Sequence, residues 1–296
     1  MVPLYESQRT LGRCLEALSR QTFRDFETVL VDSSPGGECE AVVAAAGAAV
    51  PGLRYLRSPR RLLPQAAREV GVAAAGAPLL VFTDPDCYAA PDWLERLLAA
   101  HRTAGGPAVG ALACHGHRWL DAGVHLCKFS KWLPGGALRP VDMGPTAGLL
   151  CPRGLFELVG GFGSESLLGD TNLSWKLRRN GQTLWFEPRA VAEHHHLQTW
   201  RSFVAERYRR GKLYGRLRLD WLDGGRATAL GYLLASVLPL RLATNLAHTA
   251  RHAAGAGLLG GFAVWLPVVV VGHAAALAGE SVAYAGLLLR DGLGAP

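Results

Sequence analysis

Apolar positions change period in a regular way along the first half of the chain. Leu11, Cys14, Leu15 and Leu18 recur at helical spacing, and Thr28-Val29-Leu30-Val31 reads as a buried strand. The cycle repeats with a helix over 63–75 and a strand at Pro78-Leu79-Leu80-Val81-Phe82. Such alternation predicts a βαβ chain with a parallel sheet. Pro91 and Asp92 suit the first turn of a helix carrying Trp93, Leu94, Leu97 and Leu98 on its apolar side, and another strand is expected at 108–114. Residues 115–150 mix aromatic residues with Pro134, Gly135, Gly136, Pro140, Gly144 and Pro145, which reads as a long functional loop. A helix over 153–159 ends at Gly160-Gly161, a second over 170–180 stops at Gly181, and Thr183-Leu184-Trp185-Phe186 is a strand closed by Pro188.

From about residue 226 the pattern changes to two apolar stretches, 227–247 and 254–279, separated by His248, Arg251 and His252. Each is near the ~20 residues needed to cross a bilayer. The second has no Lys, Arg, Asp or Glu and is expected to span. The first contains Arg241, which costs roughly 2.5–3.5 kcal/mol near the centre of a membrane helix, so a tilted, interfacial or re-entrant helix is the alternative. Two buried helices of a soluble domain would fit the same pattern.

Composition supports contact with lipid: 49% of the 296 residues are hydrophobic and 19% charged, against about 25% charged in ordinary soluble domains. The formal charge of +7 is concentrated in Arg207, Arg209, Arg210, Lys212, Arg216 and Arg218, just ahead of the apolar region. That placement suits anionic headgroups and an N-terminal domain on the cytoplasmic side of an inner membrane better than nucleic acid, for which no recognised motif is present. The six cysteines, Cys14, Cys39, Cys87, Cys114, Cys127 and Cys151, form no C-x-x-C pair, so neither a zinc site nor a disulfide framework is indicated. No charged segment followed by an apolar one opens the chain, so no cleaved signal peptide is expected.

Asp84-Pro85-Asp86 follows an apolar strand, and ligands of open α/β sheets bind beyond the carboxyl ends of strands. Mg²⁺ and Mn²⁺ are commonly held by one or two carboxylates together with substrate phosphates. The same three residues also make good turn chemistry, and the motif alone leaves both readings open.

The order of motifs resembles the family 2 glycosyltransferases. Val2-Pro3-Leu4-Tyr5, the helix through Cys14-Leu15-Glu16-Ala17-Leu18, and Val29-Leu30-Val31-Asp32-Ser33-Ser34 match the start of that family's nucleotide-binding domain. Ala67-Arg68-Glu69-Val70-Gly71 is similar to its A-R-N-x-G segment and leads into Asp84-Pro85-Asp86. Val159-Gly160-Gly161-Phe162, Gly169-Asp170-Thr171-Asn172-Leu173 and Pro188 to His194 resemble its G-G-F, E-D-x-D-L and P-x-A-x-x-x-H elements, so the resemblance covers about residues 1–220.

The resemblance implies an α/β fold: a GT-A nucleotide-sugar-binding, Rossmann-like domain over 1–220, followed by C-terminal hydrophobic, membrane-associated helices over 221–296. It implies nucleotide-sugar binding by Pro3, Tyr5, Asp32, Arg68 and Asp84, with Asp32 contacting base and ribose. A divalent cation, Mg²⁺ or Mn²⁺, would be held by Asp86, with His194 as a further metal or diphosphate ligand. Asp170 would be the catalytic base of an inverting transfer, taking the proton of the attacking hydroxyl. It also suits a helix N-cap, and the two roles are compatible. The implied partners are a UDP-sugar donor, a lipid-linked or cell-envelope glycan acceptor and the membrane, with Trp119, Lys128 and Trp132 bordering the acceptor.

Some positions depart from the family pattern. Met1 falls inside its first strand, either as an internal start or as the edge of a truncated sheet. Glu69 replaces Asn, Gly169 replaces Glu, and Asn172 replaces the second Asp. Gln198-Thr199-Trp200-Arg201 is not the Q-x-x-R-W of processive synthases, which favours transfer of one sugar. The alternatives are a processive or polyprenyl-phosphate-dependent transferase and a tethered nucleotide-sugar-binding protein without catalysis.

Overall fold

Backbone pairing in the computed structural model, which describes residues 1–116, 118–163 and 168–290, bears out the alternation of strand and helix. The elements are β1 (Val2–Leu4), α1 (Gln8–Ser19), β2 (Thr28–Asp32), α2 (Glu38–Ala46), β3 (Leu53–Arg57), α3 (Pro64–Ala74), β4 (Leu79–Phe82), β5 (Cys87–Ala89), α4 (Trp93–Ala104) and β6 (Ala108–His115). They continue with α5 (Trp119–Phe129), β7 (Arg139–Val141), β8 (Leu149–Pro152), α6 (Arg153–Leu158), α7 (Gly169–Arg179), β9 (Leu184–His195), α8 (Trp200–Trp221), α9 (Arg226–Val237), α10 (Pro239–Gly255) and α11 (Leu259–Arg290).

Two compact units emerge, Met1–His115 with Trp132–His195, and Gly116–Lys131 with His196–Pro296. In the first, β1, β2 and β3 form a parallel sheet in that order, with Asp32 at the carboxyl end of β2. Met1 exchanges backbone hydrogen bonds with Val81 and Thr83, which aligns β4 with β1 and brings Asp84 to the same end.

The larger sheet departs from the expected parallel one. Its order is β4-β8-β6-β9-β5 with β7 also on β9, and only β6 and β9 run parallel. Phe82, Phe156 and Phe162 meet at centroid distances of 5.2–5.6 Å beneath it and, with Leu149, Leu173 and Phe186, form its core.

β9 does not close at Pro188: the β6 register jumps from Gly110–Glu187 to Ala111–Val191, and Pro188 sits in the intervening bulge, where no ladder N–H is needed. Glu187 closes that bulge by accepting from the Arg189 backbone N–H at 3.0 Å and its side chain at 2.8 Å. The expected loop over 115–150 contains α5, β7 and the first residues of β8; in α5, Val124, Leu126 and Cys127 supply a buried face that the intervening Gly, His and Asp residues obscure.

The second unit is helical. α8 begins with a capping box in which Ser202 N–H bonds the Thr199 hydroxyl at 3.3 Å and Thr199 N–H bonds that of Ser202 at 2.9 Å. The apolar stretch 227–247 is broken at Leu238, where Pro239 opens α10 and the helices α9 and α10 bend by 68°. The later stretch runs longer than 254–279. It starts after Gly257, whose φ of +73° ends α10, and Leu259–Leu289 of α11 is long and apolar enough to cross a membrane. Arg241, the costly residue of the first stretch, has a partner, bonding Glu280 of α11 at 2.7 Å. Residues 291–296 of the expected membrane region lie outside the described residues.

Candidate active site

Carboxyl ends of β1, β2 and β3 open onto a cleft of about 440 Å³ lined by Tyr5, Ser33, Ser34, Arg57, Ser58 and Arg61. The Arg61 guanidinium lies 4.2 Å over the Tyr5 ring, leaving cation and aromatic face together at the rim. Asp32 is fully buried behind this lining. One of its oxygens accepts from Ser34 N–H at 2.8 Å and from the Ser34 hydroxyl at 2.6 Å, and the other from the Tyr55 phenol at 2.6 Å. Burial, and then this bond to Asp32, push the Tyr55 phenol above its usual range, so it remains a donor. Asp32 therefore shapes the cleft through Ser34 and Tyr55. Pro3 is buried in β1 opposite Val31 and leads the chain to Tyr5.

Asp84-Pro85-Asp86 forms the turn between β4 and β5. Cys87 N–H bonds Asp84 C=O at 3.1 Å, and the His195 N–H bonds Asp86 C=O at 2.8 Å, so both backbones fix the motif. Arg68 of α3 forms an ion pair with Asp84. Its side chain is 3% exposed, and its Nε has no hydrogen-bond partner, so the guanidinium is committed to Asp84 in a low-dielectric setting. That pairing leaves Asp86 as the carboxylate of the motif facing other chemistry.

His194 faces Asp86, with Nε2 3.8 Å from Oδ2. Ligating atoms of Asp86, Cys87 and His194 lie within 4.8 Å of one another. Burial, then Asp86, push the Cys87 thiol well above its usual range, and its sulfur is a softer donor than the carboxylate and imidazole beside it. A hard or borderline divalent cation suits the remaining oxygen and nitrogen donors, completed by phosphate oxygens. The continuation of β9 past Pro188 is what delivers His194, in register with Cys87. Its neighbours point elsewhere: His195 Nδ1 meets the Tyr88 phenol at 3.0 Å, and His196, in the helical unit, meets His125 at 3.0 Å.

Asp170 is half-buried at the second position of α7, after the cap position at Leu168, and one oxygen accepts from Thr171 N–H at 2.8 Å. The departures from the family pattern around it acquire local reasons. A Cβ at Gly169 would lie 2.0 Å from Cγ of Gln65, so buried Gln65 fills the space a longer side chain would need. Glu69 accepts from Phe162 N–H at 2.7 Å, while the Asn172 amide donates to Phe162 C=O at 2.7 Å. An ionised Asp at 172 could not make that second bond. Lys176 holds the preceding carbonyls of Gly160 and Gly161 at 2.9 and 3.0 Å.

Residues expected near an acceptor take part in packing. Trp132 donates to Met143 C=O at 3.2 Å, and, in the helical unit, Trp119 donates to Val264 C=O at 2.7 Å and Lys128 pairs with Glu206 at 3.1 Å. Sequence reasoning missed Ser34, Tyr55, Arg57 and Arg61. The signal available was the basic run Arg57-Ser58-Pro59-Arg60-Arg61 after a strand.

Residues 1–125 match the family model described as Glycosyl transferase family 2. The chain is 26% identical over 223 residues to the pre-mycofactocin glycosyltransferase of Mycobacterium tuberculosis, covering 70% of this chain and 44% of that protein, so it spans less than half of that relative's length. Among solved structures it is similar to the mannosyltransferase PcManGT from Pyrobaculum calidifontis in complex with GDP-Man and Mn²⁺ (TM-score 0.59, 23% identity, 98% of this chain and 86% of that one). S. aureus TarS in complex with UDP-GlcNAc is also similar (TM-score 0.56, 15% identity, 98% and 90% covered). At these identities the structures speak for the fold, a GT-A α/β body with a long apolar helix in its C-terminal part, and the family match speaks for residues 1–125, which are similar in sequence to glycosyl transferase family 2.

Proposed function

We propose that this protein transfers one sugar, with inversion, from a UDP-sugar to a lipid-linked or cell-envelope glycan acceptor at the cytoplasmic face of the inner membrane. The observation that carries the reading is the convergence of Asp86, between β4 and β5, and His194, near the end of β9, beside an Asp84 paired with Arg68. Relatives are named glycosyltransferases, and the similar structures hold GDP-Man with Mn²⁺ or UDP-GlcNAc. Transfer is assigned to residues 1–220 and membrane association to 221–296, although by packing α8 belongs with the later helices.

In this reading the cleft at Tyr5, Ser34 and Arg61 takes the nucleoside. A divalent cation held by Asp86 and His194 would neutralise the departing diphosphate. Asp170 accepts the proton of the acceptor hydroxyl as its oxygen bonds to the anomeric carbon and the bond from that carbon to the diphosphate oxygen breaks. A second reading, binding without transfer, is favoured by one observation: Gln65 occupies the space beside Gly169 where the family carries Glu.

The test is nucleoside diphosphate release from a panel of UDP-, GDP- and dTDP-sugars with Mn²⁺ or Mg²⁺, using detergent-purified protein and native lipid extract. Metal-dependent release from one donor that falls at least about a hundredfold in Asp86→Asn supports the transferase. Release unaffected by chelator or by Asp86→Asn contradicts it.

A further inference from the structure

The apolar length of α11 suggests a membrane crossing, but its neighbours argue for a different arrangement. Trp119 bonds Val264 C=O at 2.7 Å, a Cβ on Gly123 would lie 2.4 Å from Val268, and one on Gly272 would lie 2.5 Å from Cys127. The rising numbers on both helices show α5 running parallel to α11 over 264–272. From there α8 takes over. Arg207 bonds Gly272 C=O at 3.3 Å, a Cβ on Gly211 would lie 2.0 Å from Ala276 C=O, and Arg218 bonds Glu280 at 3.2 Å. On another flank, Ser236 of α9 meets Ser281 at 2.9 Å, while Arg241 and Thr249 of α10 meet Glu280 and His273 at 2.7 and 3.0 Å.

A crossing helix needs about 20 residues in hydrocarbon. Every such segment within Leu259–Leu289 contains residues 270–278. At that level α8 contributes Arg207, Arg209, Arg210 and Lys212, and Arg209 is exposed. Crossing would carry these cations into the bilayer interior, where charged side chains are costly and rare. Meanwhile α9, α10 and α11 expose large apolar side chains, among them Leu234, Val237, Leu240 and Val264. From Arg226 to Gly279 the sequence has Arg226, Arg241 and Arg251 and no Asp or Glu. Arg241 is paired with Glu280, but Arg226 and Arg251 are exposed, and an apolar surface flanked by exposed cations is complementary to one leaflet of an anionic bilayer.

We propose that α9–α11 lie along the surface of an anionic bilayer, with their exposed apolar side chains in the acyl boundary and Arg226 and Arg251 among the headgroups, and that α11 does not cross. This rests on the membrane association in the proposed function and concerns its geometry. The test places a protease-cleavable epitope tag at each end of the full chain in bacterial membranes. Access is compared between inverted vesicles and spheroplasts, and nucleoside diphosphate release is assayed on the same membranes. Both tags cleaved only in inverted vesicles is the expected result. Tags on opposite sides overturn the in-plane arrangement while intact release leaves the transferase reading standing, whereas a chain found wholly in the soluble fraction overturns membrane association itself. As an independent measure, purified Leu234→Asp and Leu240→Asp chains should bind preformed phosphatidylglycerol vesicles at least about tenfold more weakly than the parent. Unchanged binding would remove this surface from the interface.

Discussion

Replacing Asn172 by Asp changes one nitrogen to oxygen, yet it should destabilise the sheet unit markedly. Asn172 is buried, and its amide donates at 2.7 Å to the carbonyl of Phe162, whose ring packs between Phe82 and Phe156 at 5.2 Å from each. An aspartate removes the donor and sets a carboxylate oxygen against that carbonyl. Losing a buried hydrogen bond and leaving its acceptor unsatisfied costs about 1–3 kcal/mol, with more for a charged group, so about 2–3 kcal/mol is expected. Because Glu69 holds the N–H of the same residue at 2.7 Å, the two positions are coupled, and Glu69→Asn should recover part of the loss by returning a donor and removing a charge. Denaturant unfolding of the full chain in detergent, followed by tryptophan fluorescence, measures all four members of the cycle. An Asn172→Asp chain within 0.5 kcal/mol of the parent, a margin typical of surface changes, would refute the argument that this pair secures Phe162.

Other outcomes follow from single contacts. Burial opposes ionisation of Glu206, but Lys128, Arg210 and the bond from Gln198 hold its carboxyl down at about 2, against an ordinary 4.5. Because the folded value is the lower one, the associated stability, on the order of 3 kcal/mol, is present above pH 4.5 and lost as pH falls toward 2. Unfolding of Lys128→Met over that range should show a smaller pH dependence. Arg61→Ala removes the cation over Tyr5 and should weaken UDP binding by roughly five- to thirtyfold in calorimetry, with little change in unfolding.

The first hundred residues were legible because their periodicity and their packing agree. Leu11, Cys14, Leu15 and Leu18 are one buried helix face, and Val29 to Val31 one buried strand. Where tertiary structure overrides a local signal, sequence reasoning stopped short. Pro188 is a strand breaker by its chemistry, and only the register jump opposite Gly110 makes room for it, extending β9 to His194. In 227–247 the apolar composition concealed a break that Pro239 imposes on the backbone. Glu69 and Asn172 read as separate departures from a family pattern, since nothing in their spacing reveals that both hold Phe162. Asp32 was visible as the residue at a strand end, but its screening by Ser34 and Tyr55 depends on β3, whose Tyr55 gives no signal alone.

The most direct test of the central claim separates binding from transfer in one substitution, Asp170→Asn. Mn²⁺-dependent UDP affinity and nucleoside diphosphate release would be measured on the same preparation of purified full chain. UDP affinity should stay within about threefold of the parent while release falls by about 10³-fold or more, since a base acts on the transition state and not on the bound donor. Release that persists at the parent's rate would remove Asp170 from the chemistry and contradict the mechanism.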